Sequence, residues 1–405
     1  MASTTVSAGK HPAAATAGNA KARIWESIVR LNDWLEKNDY RGYDTFDGLS
    51  AWVRPLTFET KLLRTVLQQG VRRFPLNLRP ILGIPKSRST KGMGYLAKGF
   101  LRLQDATGDK SWGAKAQSAL EWLIENKSKG QYSGACWGNH FDYQSRGFYL
   151  PKGVPTIVWT SLIGHAFLDG YDHFHDERYL QVAVSACEHI LHDLKRSPES
   201  NGGLCISYIP TGINYIHNAN TLGGSLLART YSHTRNEAYL SLAQKAMRYT
   251  ANHQRADASW YYGEAPEVHW VDNFHTAYVL DCFKYYIMST GDAGFQEKLT
   301  AGYKFWKTTF FLPDGTPKYY DHKTLPIDIQ CSSQAIDTLV FFRDEDSDSL
   351  ALALNVANWT IDNMQDRTGY FYYRRYSSGI VNKTPTLHWG QATMLCALAA
   401  LYKAL

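Results

Sequence analysis

Carboxylates, imidazoles, amides and aromatic rings gather at a handful of turns in this 405-residue chain. GACWGNHFDYQSRGFYLPKGVPTIVW carries Trp137, His140, Asp142 and Arg146, and SYIPTGINYIHNAN carries Tyr208, His217, Asn218 and Asn220. SWYYGEAPEVHWVDNFHT supplies Trp260, Tyr261, Glu264, Trp270, Asp272 and His275. PKYYDHKTLPIDIQCSSQ adds Tyr320, Asp328 and Gln330. GYFYYRRYSSGIVNKTPTLHWGQ adds Tyr372, Arg374, Lys383, His388 and Trp389, and the early DYRGYDTFDGL contributes Asp44 and Asp47. Aromatic residues are 14% of the chain and twelve are Trp, enough to line a cleft as well as to wedge helices apart. Rings beside carboxylates, amides and Arg are what sugar recognition requires. The apolar face of a pyranose lies on an indole or phenol, and its hydroxyls take paired donors and acceptors.

Two catalytic chemistries fit these residue types. Cleavage of a glycosidic bond uses an acid and a base or nucleophile, both carboxyls, about 5–9.5 Å apart. Glu264, Asp272, Asp142 and Asp328 are the candidates. Glu264 follows Gly263 in a tight turn beside Tyr261 and Tyr262, a setting expected to raise its pKa for acid work. Asp272 and Asp328 each precede a helix and could equally be N-caps, and Asp142 could pair with Arg146. The second chemistry removes the proton α to a uronate carboxylate, with His or Tyr as base and a cation on the acid. His275 and Tyr261, with His217, His388, Arg146, Arg374 and Lys383, would serve it. Hydrolysis ranks slightly ahead, epimerisation or elimination next, and plain glycan binding third.

These turns recur at a fixed distance. The residues that open each apolar helix are Gly92, Thr160, Asn218, Asn273, Cys331 and Trp389, spaced 68, 58, 55, 58 and 58 residues apart. Each is followed by a helix-period stretch, a polar break and a second such stretch, the mark of a helical-hairpin array. The last marker leaves room for one helix only. Its partner stands at the other end of the chain, where Ile24, Ile28, Leu31 and Leu35 line one helical face. A hairpin split between the termini closes a ring instead of an open solenoid. The fold expected is all-α, an (α/α)6 toroid with short β-hairpins or loops at one mouth. It should form a single domain over residues 21–405, after a disordered tail at 1–20.

A basic insertion at 54–91 interrupts the repeat. It holds nine Lys or Arg and one acid, +8 in a chain of net charge +6, which leaves −2 elsewhere. FETKLLRTVLQQGVRRF in it is helical in period, and the following segment, with Pro75, Pro80, Gly83 and Pro85, is not. The insertion is expected to cap the mouth of the ring or to meet an anionic membrane surface or an acidic glycan. Nucleic acid is not expected, since no recognition module accompanies the charge. No apolar run reaches the ~18 residues of a membrane span. No HExxH, CxxC, EF-hand loop, phosphate-binding loop or G-x-S-x-G occurs, so no metal and no cofactor is expected. The six scattered cysteines suit buried free thiols in a reducing compartment and a cytoplasmic protein.

The motifs W-x-Y-G-E, D-N-F-H-T, P-I-D-I-Q and H-W-G-Q, together with GYDTFDGL at Gly42–Leu49, resemble the six-hairpin toroids of carbohydrate-active proteins. They are most similar to bacterial exopolysaccharide-biosynthesis proteins of unassigned chemistry, over residues 24–405. That resemblance implies an oligosaccharide or polysaccharide partner. The architecture also serves glucuronyl hydrolases, sugar epimerases and polysaccharide lyases, so it does not choose among reactions.

Overall fold

The computed structural model describes residues 12–405, with side chains from residue 18 onward. The helices in chain order are α1 (Pro12–Lys37), α2 (Lys61–Arg73), α3 (Thr90–Thr107), α4 (Lys110–Glu125), α5 (Ile157–Phe174), α6 (Glu177–His192) and α7 (His217–Thr234). They continue with α8 (Glu237–Asn252), α9 (Asn273–Thr290), α10 (Gln296–Thr309), α11 (Ile329–Phe341), α12 (Ser349–Met364) and α13 (Ala392–Ala404). Residues 1–11 of the expected tail lie outside the described residues. Residues 12–20 form the first turns of α1, for PAAATAGNA is rich in alanine, the strongest helix former.

Helices α3, α5, α7, α9, α11 and α13 pack side by side in that order, and α13 packs back on α3. They form the inner ring, with α4, α6, α8, α10, α12 and α1 outside it. The observed starts fall within three residues of the expected markers. Helix α1 completes the ring as the outer partner of α13, held to the end of α12 by Ser27 Oγ donating to Gln365 Oε1 at 2.9 Å. Three of the inner-to-outer turns share one chemistry. A residue in the left-handed conformation ends the inner helix (Gly108 at φ 74°, His175 at 55°, Arg235 at 57°), and Asp109, Asp176 or Asn236 then caps the outer one.

The core is the interface between the rings. Leu96, Ile163, Phe167, Leu226, Leu280, Leu339 and Leu398 are all fully buried, each contributing about 1.5–3 kcal/mol. Because each hairpin runs in the same sense, the N-termini of the inner helices and their leading turns meet at one mouth. The pieces of strand there are short: β1 (Tyr143–Gln144) with β2 (Tyr149–Leu150), β3 (Arg196–Pro198) with β4 (Leu204–Ile206), and β5 (Ile327–Asp328), β6 (Arg374–Arg375) and β7 (Val381–Asn382) in one antiparallel sheet.

The insertion packs on the turns of this mouth. Gln68 on α2 exchanges two 2.9 Å hydrogen bonds with the Gln144 backbone. Arg72 Nε donates to the Tyr373 hydroxyl at 3.0 Å, and Asn382 Nδ2 donates to the Phe74 carbonyl at 2.8 Å. Below the mouth, the hydroxyls of Tyr95 and Tyr278 stand 2.6 Å apart. They come from α3 and α9, three places apart in a ring of six, so the pair spans the axis and forms a floor.

Candidate active site

The two best-organised groups at the mouth are carboxylate–imidazole pairs. Asp272 caps α9, its Oδ1 accepting from the His275 backbone N–H at 3.0 Å. Its Oδ2 accepts from Trp270 Nε1 at 2.8 Å and meets His275 Nδ1 at 2.7 Å. Oδ1 therefore meets the N-cap reading of Asp272, and Oδ2 is the atom its catalytic reading would use. Asp272 is buried and His275 partly open. With Nδ1 committed, His275 Nε2 is the nitrogen left to act. Its imidazole lines a cleft of ≈ 210 Å³, open solvent included, that brings together His217, Asn218, Trp260, Tyr261, Asp272 and His275. Tyr262, which the sequence reading passed over as a site residue, also lines it. Its ring lies 4.4 Å from His275 and stacks on Trp270 at 4.7 Å.

The second pair is Asp44 with His388, an ion contact out of line for a straight hydrogen bond. The backbone explains it. Tyr43 N–H donates to the Pro385 carbonyl and Leu387 N–H to the Tyr43 carbonyl, which lays the GYD turn against HWGQ. A side chain at Gly42 would meet the Leu387 backbone at 3.1 Å. A π-turn over Leu387–Gln391 then sets His388 inward. Burial lowers the His388 pKa against the pull of Asp44, while the same contact leaves the Asp44 carboxyl below its usual range despite burial. Phe274 ties the two pairs into one aromatic wall, 4.0 Å from His275 and 5.4 Å from Trp389.

Lys91 lies above the tyrosine floor, its Nζ 5.9 Å from the rings of both Tyr95 and Tyr278. Burial lowers its pKa to about 8, and Asp44 opposes the shift. Among the described residues no carboxylate forms an ion pair with it. Neither Lys91 nor the floor tyrosines stood out in the sequence, although both tyrosines sit five residues past their helix starts.

The other proposed residues sort into cavity and scaffold. Glu264 is a correction. It accepts from His217 Nε2 at 2.6 Å and lies 3.1 Å from His253 Nδ1. The hydrogen bond from His217 outweighs burial and holds its carboxyl down to about 2. A raised acid is therefore not found there. Asp142 pairs with Arg54 of the insertion, not with Arg146. Arg146 instead donates to the Glu267 carbonyl at 2.5 Å and covers the Trp270 ring. Asp328 caps α11 and is filled by Trp389 Nε1 at 2.7 Å and Arg374 Nε at 2.8 Å. That ion pair consumes both Asp328 and Arg374. Asp47 is held from below by Arg79 at 2.7 Å. Trp137 and Trp260 are buried wedges donating to the carbonyls of Leu123 and Thr250 at 2.9 and 2.8 Å, although Trp260 reaches the cavity edge. Asn220 is spent on the Ile206 N–H and the Ala246 carbonyl. Tyr372 donates to Asp366 at 2.9 Å with Lys383 over its ring, away from both pairs.

Several groups remain open. Asn218 Oδ1, Gln330 Oε1 and His140 Nδ1 are buried without a hydrogen-bond partner. Burial lowers His140 to about 4, against the attraction of Asp44. Tyr208 packs 5.9 Å from Phe148, and Tyr320 packs 4.5 Å from Tyr319. A further cavity lies under the tyrosine floor, lined by Lys98, Arg102, His165, Asp281 and Asp337. All six cysteines are free and buried. Among the described residues no helix is long and apolar enough to cross a membrane.

No sequence family matches this chain, and no curated protein does. Its fold is that of solved carbohydrate-active toroids. A cellobiose 2-epimerase from Bacillus thermoamylovorans superposes with a TM-score of 0.61 at 11% identity, over 77% of this chain and 87% of that one. A family 88 glycosyl hydrolase from Bacteroides vulgatus gives 0.60 at 11% identity, over 95% and 99%. A polysaccharide lyase gives 0.59 at 10% identity, over 95% and 97%. At such identities the likeness establishes the (α/α)6 architecture and leaves the reaction to the residues of this chain.

Proposed function

We propose that this protein is a carbohydrate-active enzyme that moves a proton on a uronate-bearing oligosaccharide or polysaccharide, by epimerisation or elimination. The observation that carries the reading is the Asp272–His275 pair, whose imidazole lines an aromatic cleft with Nδ1 committed and Nε2 free. A buried carboxylate on Nδ1 fixes the tautomer that leaves Nε2 unprotonated, and it stabilises the imidazolium formed when Nε2 takes a proton. His388 with Asp44 is a second imidazole at the same mouth, available to return the proton. Lys91, without a carboxylate partner, is the cation for the uronate. The unpartnered Asn218, Gln330 and His140 atoms are what sugar hydroxyls would satisfy. The GYDTFDGL resemblance supports a role in exopolysaccharide biosynthesis, and the free buried thiols suit the cytoplasm.

The test uses uronate oligosaccharides in deuterated water. Incorporation of deuterium at C5 without chain cleavage identifies epimerisation, and an ultraviolet-absorbing unsaturated uronate identifies elimination. Lys91→Met should raise KM for uronate substrates far more than for neutral ones. If His275→Ala keeps full activity, the proton-transfer reading is wrong.

Hydrolysis is the second reading. The ionised, partly exposed Glu264 favours it. New reducing ends without absorbance, lost in Glu264→Gln, would establish it. Affinity without turnover in every assay would leave a glycan-binding protein.

A further inference from the structure

We infer that His217, His253 and Glu264 form a divalent-cation site of the zinc class. The three come from separate segments: the first residue of α7, the residue after α8, and the turn that follows Tyr262. His217 Nε2, His253 Nδ1 and one Glu264 oxygen all lie within 4.8 Å of one another. Two imidazoles and a carboxylate are a zinc-type donor set with one position left over.

The second shell gives the independent argument. His253 Nε2 stands 2.8 Å from Glu199 Oε1. An Nε2–H given to Glu199 leaves a lone pair on Nδ1, which stands 3.1 Å from the Glu264 carboxylate without a hydrogen bond between them. Two acceptors at that separation repel unless a cation lies between or beside them. A carboxylate behind a ligating imidazole is the usual way of orienting it. Zinc bonds of about 2.0–2.2 Å put tetrahedral donors about 3.3–3.6 Å apart. The 2.6 Å His217–Glu264 contact therefore needs to open by less than about 1 Å. The rival arrangement is a proton on each imidazole, and metal binding would displace these protons.

Titrating chelator-treated full-length protein with zinc alone decides the matter by calorimetry, with metal content of untreated protein as a second readout. One zinc per chain is expected. His253→Ala and Glu264→Gln should each abolish saturable binding, and Glu199→Gln should weaken it about 10–100-fold. Circular dichroism confirms folding, and Glu199→Gln keeps the test informative should His253→Ala unfold. No saturable binding, or equal binding by wild type and His253→Ala, overturns the site. Neither outcome depends on which sugar reaction occurs.

A different observation carries a second inference: the insertion docks on an anionic phospholipid bilayer. Among the described residues, nine of the fourteen exposed large hydrophobics lie between 52 and 81, including Trp52 at 68%, Phe58 at 75%, Leu62 at 72%, Leu76 at 70% and Ile81 at 77% exposure. An exposed apolar set of this size marks an interaction surface. Lys61, Arg73 and Lys86 are exposed in the same segment, and this basic rim matches anionic headgroups. Full-length protein should sediment with phosphatidylserine-containing vesicles and not with phosphatidylcholine vesicles. Leu62→Glu/Leu76→Glu, on surface positions, should release it by tenfold or more. No sedimentation, sedimentation with both vesicle types alike, binding to a polyuronate in place of vesicles, or self-association through the patch would each refute it.

Discussion

Replacing Asp272 by Asn separates the chemistry of the site from its architecture. The amide keeps the shape of the carboxylate, and its oxygen still caps α9 through the His275 N–H now 3.0 Å from Oδ1. The amide nitrogen then falls where Trp270 Nε1 donates at 2.8 Å and His275 Nδ1 lies at 2.7 Å. An NH2 group cannot accept from either. His275 must present a lone pair at Nδ1, which puts its proton on Nε2 and turns a base into an acid. The indole N–H loses its acceptor, costing about 1–3 kcal/mol. Proton transfer by a positioned side chain contributes ~10²–10⁴-fold, so kcat should fall by that range with KM nearly unchanged. Asp272→Ala should lose a further ~0.5–2 kcal/mol with the cap. Single-turnover exchange of the sugar hydrogen, alongside urea denaturation, measures both. Wild-type kcat in Asp272→Asn would refute the reasoning, as would a loss explained by unfolding alone.

Arg374→Met leaves Asp328, wholly buried, with Trp389 and a backbone N–H as its remaining donors. It should cost about 3–5 kcal/mol in urea denaturation, and adding Asp328→Asn should recover part of that loss. His140 titrates near 4 in the folded chain against 6.5 unfolded. The unfolded state therefore binds the extra proton between those values, and stability, intact above pH 6.5, falls as pH drops toward 4. The bound is about 3 kcal/mol, reduced because His140 is not wholly buried. His140→Asn should flatten that part of the stability–pH curve by up to one proton. Gly138→Ala would set a methyl 2.1 Å from the Val154 carbonyl oxygen. It should destabilise by about 1–3 kcal/mol in thermal melts.

The ring could be read from the sequence because its signals are local and repeated. Apolar spacing marks each helix, and Asp, Asn, Ser or Thr caps α2 to α6, α8, α9 and α11. Tyr262 and the floor tyrosines were missed because a ring at helix spacing reads as packing until its neighbours across the axis are known. The carboxylates were found but their roles were not. Asp328 meets an arginine 46 residues away, Asp142 an arginine 88 residues away and Glu264 a histidine 47 residues away. No spacing rule relates such partners. A carboxyl among tyrosines looks like a raised acid until imidazoles arrive from elsewhere, as His217 and His253 do at Glu264. His253 carried no signal at all, sitting at an outer-helix end where histidine is ordinary.

The Tyr95–Tyr278 crossbar has one more consequence. With the two hydroxyls 2.6 Å apart, the toroid is a blind well and not a sleeve. A polymer cannot be threaded through it, so a glycan strand enters and backs out by the same opening. That opening is narrowed by α2, which favours a chain terminus or a bent loop over a straight interior stretch.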